Sequence, residues 1–215
     1  MPIITISREF GAGGSSVAQL VAEELGAELV DAALVNDVAR RLEYPEATVA
    51  SADERPETFV DRLLDSLKYL APAQALALQR RQSGAVVEPR WEIVNLTQEL
   101  IREVARQGKA VVVGRGAAFV LRDHPNALHV FLHAAPEVRV EAIKRRLMLN
   151  ERAAREQIRR TDGERAAYIR QLYHADWRDS ANYDLAIDTG RLGFSRAAGL
   201  VIAATAGEPQ ASRRG

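Results

Sequence analysis

The amino-acid sequence predicts an α/β fold, a doubly wound parallel five-stranded sheet with helices on both faces. Two observations lead there. Short β-branched or apolar runs alternate with longer stretches whose apolar residues recur every three or four positions, and one strand-to-helix junction near the start is unusually rich in glycine. Taken in order, Ile3 to Ile6, Glu28 to Val30, Ala110 to Val113, Leu128 to Leu132 and Leu185 to Ile187 read as buried strands. Val17, Leu20, Val21 and Leu25 mark one helix between them, and Ile93, Leu96, Leu100, Ile101 and Val104 mark another. Gly26 and Gly108 stand where helices would be capped at their carboxyl ends. Strand-helix alternation requires right-handed crossovers between parallel strands, so ligands are expected beyond the carboxyl ends of the strands.

The chain has 215 residues, enough for one domain with a sizeable core. Lys+Arg and Asp+Glu both count 29, so a protein that coats nucleic acid or an anionic membrane is not expected. The absence of cysteine excludes disulfides and thiol catalysis and fits a cytoplasmic location. No apolar run is long enough to span a membrane, and the first residues do not read as a signal peptide. A single domain is expected over residues 1–207, followed by a disordered tail at 208–215.

Two stretches interrupt the alternation. Residues from about 43 to 89 carry no strand signal, and Glu43 to Asp65 holds seven acidic residues against two arginines, which suggests a helical insertion. Its Leu63, Leu64, Leu67 and Leu70 suit either a homodimer interface or packing on the protein's own core. From Arg139 to Arg170 the balance reverses, with ten Lys/Arg against five Asp/Glu. Arg152, Arg155 and Arg159 recur at helical spacing, with Arg160 and Arg165 close behind. Stacked like charges repel unless an anion neutralises them, so residues about 150–170 read as an arginine-rich lid or as a surface helix offset by Glu151, Glu156 and Glu164.

The junction from Ser7 to Ser16 follows the first strand and runs straight into a helix. Gly11, Ala12, Gly13, Gly14, Ser15 and Ser16 form the kind of loop that wraps a phosphate. Glycines permit left-handed backbone and close approach of amides, the helix end adds partial positive charge, and Ser15 can bind phosphate or magnesium. Against the pattern G-x-x-x-x-G-K-[ST], Gly13 and Ser15 match, while Arg8 replaces the first glycine and Gly14 replaces the lysine. The cation that normally follows the transferring phosphoryl group must then come from elsewhere. Arg8 is the nearest candidate; pairing with Glu9 as a surface arginine is the alternative.

Four segments carry a family resemblance: ISREFGAGGSSVAQLVAEELG at the start, VVVGRGAAFVL, VFLHAAPEVRVEAIKRR, and RRTDGERAAYIRQLYHADWRDSANYDLAIDT near the end. Together they resemble the cytidylate kinase-like family of the P-loop nucleoside-monophosphate kinase superfamily. The resemblance implies a P-loop kinase with an acceptor-binding insertion and an arginine-rich lid. It would use ATP and Mg2+ to phosphorylate a nucleoside monophosphate, CMP or dCMP by preference. It also implies site residues. Arg115, in Gly114-Arg115-Gly116, matches the arginine of a Gly-Arg-Asp element that binds the acceptor, although Gly116 lacks the carboxylate. Asp31 follows the second strand, where related enzymes carry an acidic residue contacting the acceptor nucleoside. Asp162 and Arg165 match a D-x-x-R lid element, which implies that Asp162 contacts substrate and Arg165 is catalytic, with one of Arg155, Arg159 and Arg160 catalytic beside them. Thr189 and Arg191 follow the last strand, beside the adenine of ATP. A catalytically degenerate nucleotide sensor, or a kinase of another small metabolite, are the alternatives. The histidines show no metal spacing, and the scattered aromatics offer no base-stacking platform.

Overall fold

The computed structural model describes residues 2–31, 34 and 89–206. The expected insertion and tail, including Leu63 to Leu70, lie outside the described residues. The chain divides into two compact units, Met1–Leu29 with Gly108–Gly215, and Val30–Gln107.

The sheet is five-stranded, with strands β1 (Ile3–Arg8), β2 (Glu28–Val30), β3 (Ala110–Val113), β4 (Ala127–His133) and β5 (Leu185–Asp188) in the order β2-β3-β1-β4-β5. β1 pairs in parallel with β3 and β4, and β4 with β5. This is the doubly wound parallel fold that the alternation predicts. Three strands run further than expected at their carboxyl ends, β1 to Arg8, β4 to His133 and β5 to Asp188. β1 continues through Ser7 and Arg8, which pair with Phe131 and Leu132 of β4, and Glu9 N donates to Leu132 O at 2.9 Å. Ladder bonds to a central neighbour override the poor strand propensity of the polar residues, so Arg8 belongs to the sheet and its side chain takes a direction set by the pleat.

The period of two in the strands assigns the two faces. Ile4, Ile6, Val130 and Leu132 cluster with Val17, Ala18 and Val21 of α1 (Gly14–Leu25) and with Ala197 and Val201 of the last helix, Phe194–Thr205. Phe131, one residue out of phase, packs with Phe119, Ile169, Trp177 and Tyr183 instead. Trp177 stands edge-on to Phe131 at 5.5 Å and is 4% exposed, so it is a core residue. In the smaller unit, α2 (Pro89–Gln107) buries Leu100, Ile101 and Val104 as the spacing predicts; Val94, outside the expected stripe, is also buried, Leu96 is half-buried, and the Ile93 side chain lies outside the described residues. Gly26 caps α1 in the left-handed conformation, and Gly108 takes a positive φ just after α2.

Beyond β3 come a short helix, α3 (Ala117–Val120), and after β4 the pair α4 (Pro136–Leu147) and α5 (Glu151–Tyr173). Val140 and Ile143 of α4 pack with Ala154 and Ile158 of α5, and Phe10 of the glycine-rich loop and Leu149 lean on that cluster. The arginine-rich segment is thus a continuous helix of 23 residues, started by the Asn150 side chain, which accepts from Ala153 N at 2.9 Å.

Candidate active site

The loop between β1 and α1 sits at the carboxyl edge of the sheet and opens onto a cavity of about 250 Å³. Arg8, Glu9, Phe10, Gly11, Gly13, Gly14, Ser15, Ser16, Arg146 and Arg165 line it. Gly13 is the N-cap of α1 with φ 73°, no side chain caps that end, and the first turn contains no acidic residue. The first-turn amides therefore face the cavity together with the positive end of the helix, the arrangement that binds phosphate oxygens. A side chain at Gly13 would require a strained backbone and would also collide with the ring of Phe194, which covers the loop.

Ser15 and Ser16 lie exposed on that first turn. The chemistry of Ser15 fits magnesium: it offers a hydroxyl beside the phosphate site, and Mg2+ is commonly completed by phosphate oxygens and water. Among the described residues no group of three His, Cys, Asp or Glu could hold a metal by itself. Ala12 is buried, and its carbonyl accepts from Thr189 Oγ1 at 2.9 Å, with His133 O accepting from the same hydroxyl at 3.1 Å. Thr189 thus fastens the loop to the ends of β4 and β5; its side chain is engaged and 3% exposed. Asp188 caps the next turn by accepting from Gly190 N and from Arg191 N, which leaves the Arg191 side chain at the surface.

Asp162, together with Glu9, Arg139 and Arg178, to which the sequence assigned no site role, holds the loop in place. Asp162, 5% exposed, accepts from Phe10 N at 2.8 Å through Oδ1 and from Arg139 Nη1 at 2.6 Å through Oδ2, with Arg178 Nη2 at 3.4 Å. Arg178 also meets Glu9 Oε1 at 2.9 Å. Arg139 Nε lies 3.4 Å from Glu9 Oε2 but is not aligned for a hydrogen bond, so that contact is an ion pair only. Asp162 was expected to contact substrate. Its oxygens accept from the loop amide and two guanidiniums, so it shapes the loop. The sequence carries a signal for this: Asp162 continues the buried line of Ala154 and Ile158 at intervals of four, and Arg139 sits one residue from Val140 in the stripe of α4. A charge inside an apolar stripe needs a partner, and here each supplies the other.

Arg165 is the lid-segment arginine that the fold brings to the cavity. Its Nη1 donates to Arg8 O at 2.8 Å and lies 3.7 Å from Asp162 Oδ1. Burial pulls its pKa below the usual guanidinium range; Asp162 opposes that shift and Arg146 reinforces it. Arg146 and Arg165 stand over the Phe10 ring at 4.8 Å and 5.6 Å. Arg155, Arg159 and Arg160 do not line the cavity. They are exposed on α5, where Arg155 pairs with Glu151 at 2.8 Å and Arg160 bonds Gln157 at 2.9 Å.

Arg115 occupies the middle of a turn in which Gly114, Arg115 and Gly116 all have positive φ, at 75°, 55° and 74°. Left-handed backbone costs a non-glycine residue roughly 1–2 kcal/mol, a strain often kept where a side chain must point in a set direction. The turn closes through Ala117 N donating to Gly114 O at 3.0 Å. Its side chain acts on Tyr168, whose pKa is pushed up to about 12 by burial, then by Tyr173, while the Arg115 charge opposes the shift. Asp31 follows β2 and accepts from Leu34 N at 3.1 Å, within the smaller unit.

The sequence profile of the cytidylate kinase-like family matches residues 3–191. The chain belongs to the cytidylate kinase-like family. It is 29% identical over 194 residues to the cytidylate kinase of Archaeoglobus fulgidus, covering 87% of this chain and 85% of that one. The cytidylate kinase of Methanothrix thermoacetophila is 28% identical over 189 residues, covering 88% and 89%. In the cytidylate kinase of Methanopyrus kandleri the match is 33% over 98 residues, and the chain spans about half, 51%, of that relative. Among solved structures, an uncharacterized protein from Eubacterium ventriosum has the same fold, with a TM-score of 0.70 at 22% identity over 95% of this chain and 98% of that one. The matched residues include β1, the glycine-rich loop and α1, so the cavity at the end of β1 lies within the part of the chain that the family shares.

Proposed function

We propose that the protein is a nucleoside-monophosphate kinase that transfers the γ-phosphoryl group of ATP to a monophosphate acceptor, with CMP or dCMP preferred. The observation that carries this reading is the cavity at the N-terminus of α1, walled by loop amides and by Arg8, Arg146 and Arg165. Phosphoryl transfer asks little covalent chemistry of a protein. It asks that the phosphates be held in line and that the charge developing on the equatorial oxygens be met by preorganised donors. Loop amides and the helix end hold the phosphate chain of ATP, Ser15 offers a hydroxyl to magnesium, and Arg165 and Arg8 supply positive charge at the transferring group. Arg115, held in its strained turn, and Asp31 are assigned to the acceptor. Thr189 and Arg191 lie on the adenine side. The exposed arginines of α5, Arg155, Arg159 and Arg160, join the site only if α5 moves on binding.

The preference for CMP rests on the likeness to archaeal cytidylate kinases at about 30% identity. A coupled assay of ADP release with CMP, dCMP, UMP, AMP and GMP tests it. CMP or dCMP should give the highest kcat/KM, and turnover of none of the five would refute the reading. Gly14 at the lysine position and Gly116 at the carboxylate position favour a second reading, a nucleotide sensor without catalysis. Calorimetry would then register ATP binding in a protein with no turnover. Turnover of a different phosphorylated or hydroxylated metabolite would keep the chemistry and change the acceptor.

A further inference from the structure

The loop lacks a lysine, and the space beside Gly14 is filled. A Cβ built on Gly14 would meet Arg8 Cγ at 2.5 Å, Cβ at 3.0 Å and Cδ at 3.1 Å. These atoms are the stem of the arginine side chain, so making room for a Cβ would redirect the whole side chain and not only its tip. A Cβ on Gly114, at the end of β3, would collide with Arg8 Nη1 and come within 3.2 Å of its Cζ. Two glycines from separate elements therefore clear one path, and the Arg8 side chain runs along it, over the first residue of α1 towards the turn that holds Arg115. The sheet fixes this course. Arg8 pairs with Leu132 in register and, by the period of two, shares the face of Ile4 and Ile6, the face on which α1 packs.

We infer that Arg8 and Gly14 together are an exchanged form of the glycine and lysine of the common phosphate loop: the cation has moved from the helix end to the strand end, and the small residue has moved the other way. The two arrangements are sterically exclusive, because any side chain at position 14 needs the room that the Arg8 stem occupies. The guanidinium then serves the terminal phosphates of a triphosphate from the strand side of the cavity, which Arg146 and Arg165 also line. A fork of donors replaces a point charge, so two phosphoryl oxygens can be held at once. This inference rests on the phosphate-site reading above.

The test measures binding of inorganic tripolyphosphate by calorimetry, which needs neither acceptor nor turnover, for the wild type, R8A, G14A, R8A/G14A and R8G/G14K. The wild type should bind, and R8A should bind roughly 10- to 100-fold more weakly, the loss expected for a charged hydrogen-bonding group. G14A should reproduce that loss, because its methyl group displaces the arginine. Gly14 is helical, so alanine there is otherwise well tolerated. The decisive variant is R8A/G14A, which should bind no more weakly than R8A, since the methyl group then has room. R8G/G14K should recover most of the affinity. If G14A fails to fold, R8A/G14A must fold; its failure would overturn the exchange. Tripolyphosphate binding by R8A equal to that of the wild type, or losses that add in the double variant, would also overturn it. No binding by the wild type would instead sink the phosphate-site reading itself.

Discussion

Two groups of arginines lie on the neighbouring helices α4 and α5, and their surroundings are opposite. Arg155 and Arg160 stand in solvent and bond residues one turn away on their own helix, and Arg159 is exposed beside them. Arg139 and Arg165 reach across to another element. Arg139 is 7% exposed between Glu9 and Asp162, and Arg165 donates to the carbonyl of Arg8. Helical spacing alone assigns both groups to charged helix faces. What separates them is the apolar line each shares: Asp162 and Arg139 run with Ala154, Ile158, Val140 and Ile143, whereas Arg155 and Arg159 do not. The lesson is that an arginine row signals repulsion, and an arginine within a buried stripe signals a partner.

That contrast can be broken at several points. The largest effect should come from Asp162→Ala, which strands the Phe10 amide and the Arg139 guanidinium. Breaking such a buried network should cost about 3–5 kcal/mol, measured by urea denaturation. Asp162→Asn, which keeps the volume and an acceptor for Phe10 N, should cost less. A loss under about 1 kcal/mol for Asp162→Ala would mean that the network is ornamental. Next, Arg165→Ala should lower kcat/KM roughly 10²- to 10³-fold, with most of the loss in kcat, because it removes a donor preorganised at the phosphate site. Arg159→Ala and Arg155→Ala should lower it less than about tenfold, or ~1.4 kcal/mol of barrier, and should leave stability within ~0.5 kcal/mol. Equal losses for Arg159→Ala and Arg165→Ala would show that α5 closes over the ligand and that the exposed row joins the site.

The smallest effect concerns the core on which α5 ends. Burial pushes the Tyr183 hydroxyl up to about 12, against a bonding contribution from Ser7, and its hydroxyl donates to Trp177 O at 2.6 Å. The folded state therefore keeps this tyrosine neutral at pH values where the unfolded chain ionises it. Stability is full below pH 10 and falls as pH rises through the interval from 10.0 to about 12. Replacement by phenylalanine should flatten part of the alkaline limb of a stability-against-pH curve. An unchanged limb would assign it to Tyr168 or other groups.

Much of this was legible in the sequence. The five strands, the glycine-rich junction and the missing lysine follow from period and residue type, because a strand buried on both faces and a helix with one buried face leave different apolar patterns. The supporting charges were not legible from spacing. Glu9 and Arg178 are 169 positions apart and meet only because β1 and the segment after α5 converge at one edge of the sheet. Asp162 could be placed on a lid by resemblance, yet its burial depends on how α5 packs against α4. The resemblance assigns Thr189 to the nucleotide side, whereas its bond to Ala12 O depends on β5 ending next to the loop.

The contact between the Arg8 stem and Gly14 also limits how such a loop could change. Going from this loop to one that carries lysine takes two substitutions, and neither first step is neutral. Lysine placed at position 14 first meets the arginine already lying there; glycine placed at position 8 first removes the cation that enters from the strand and leaves only Arg146 and Arg165 on the cavity. The two loop chemistries are thus separated by a barrier that single changes do not cross smoothly, and a search for phosphate loops that insists on the lysine would pass over a site whose positive charge enters from the sheet.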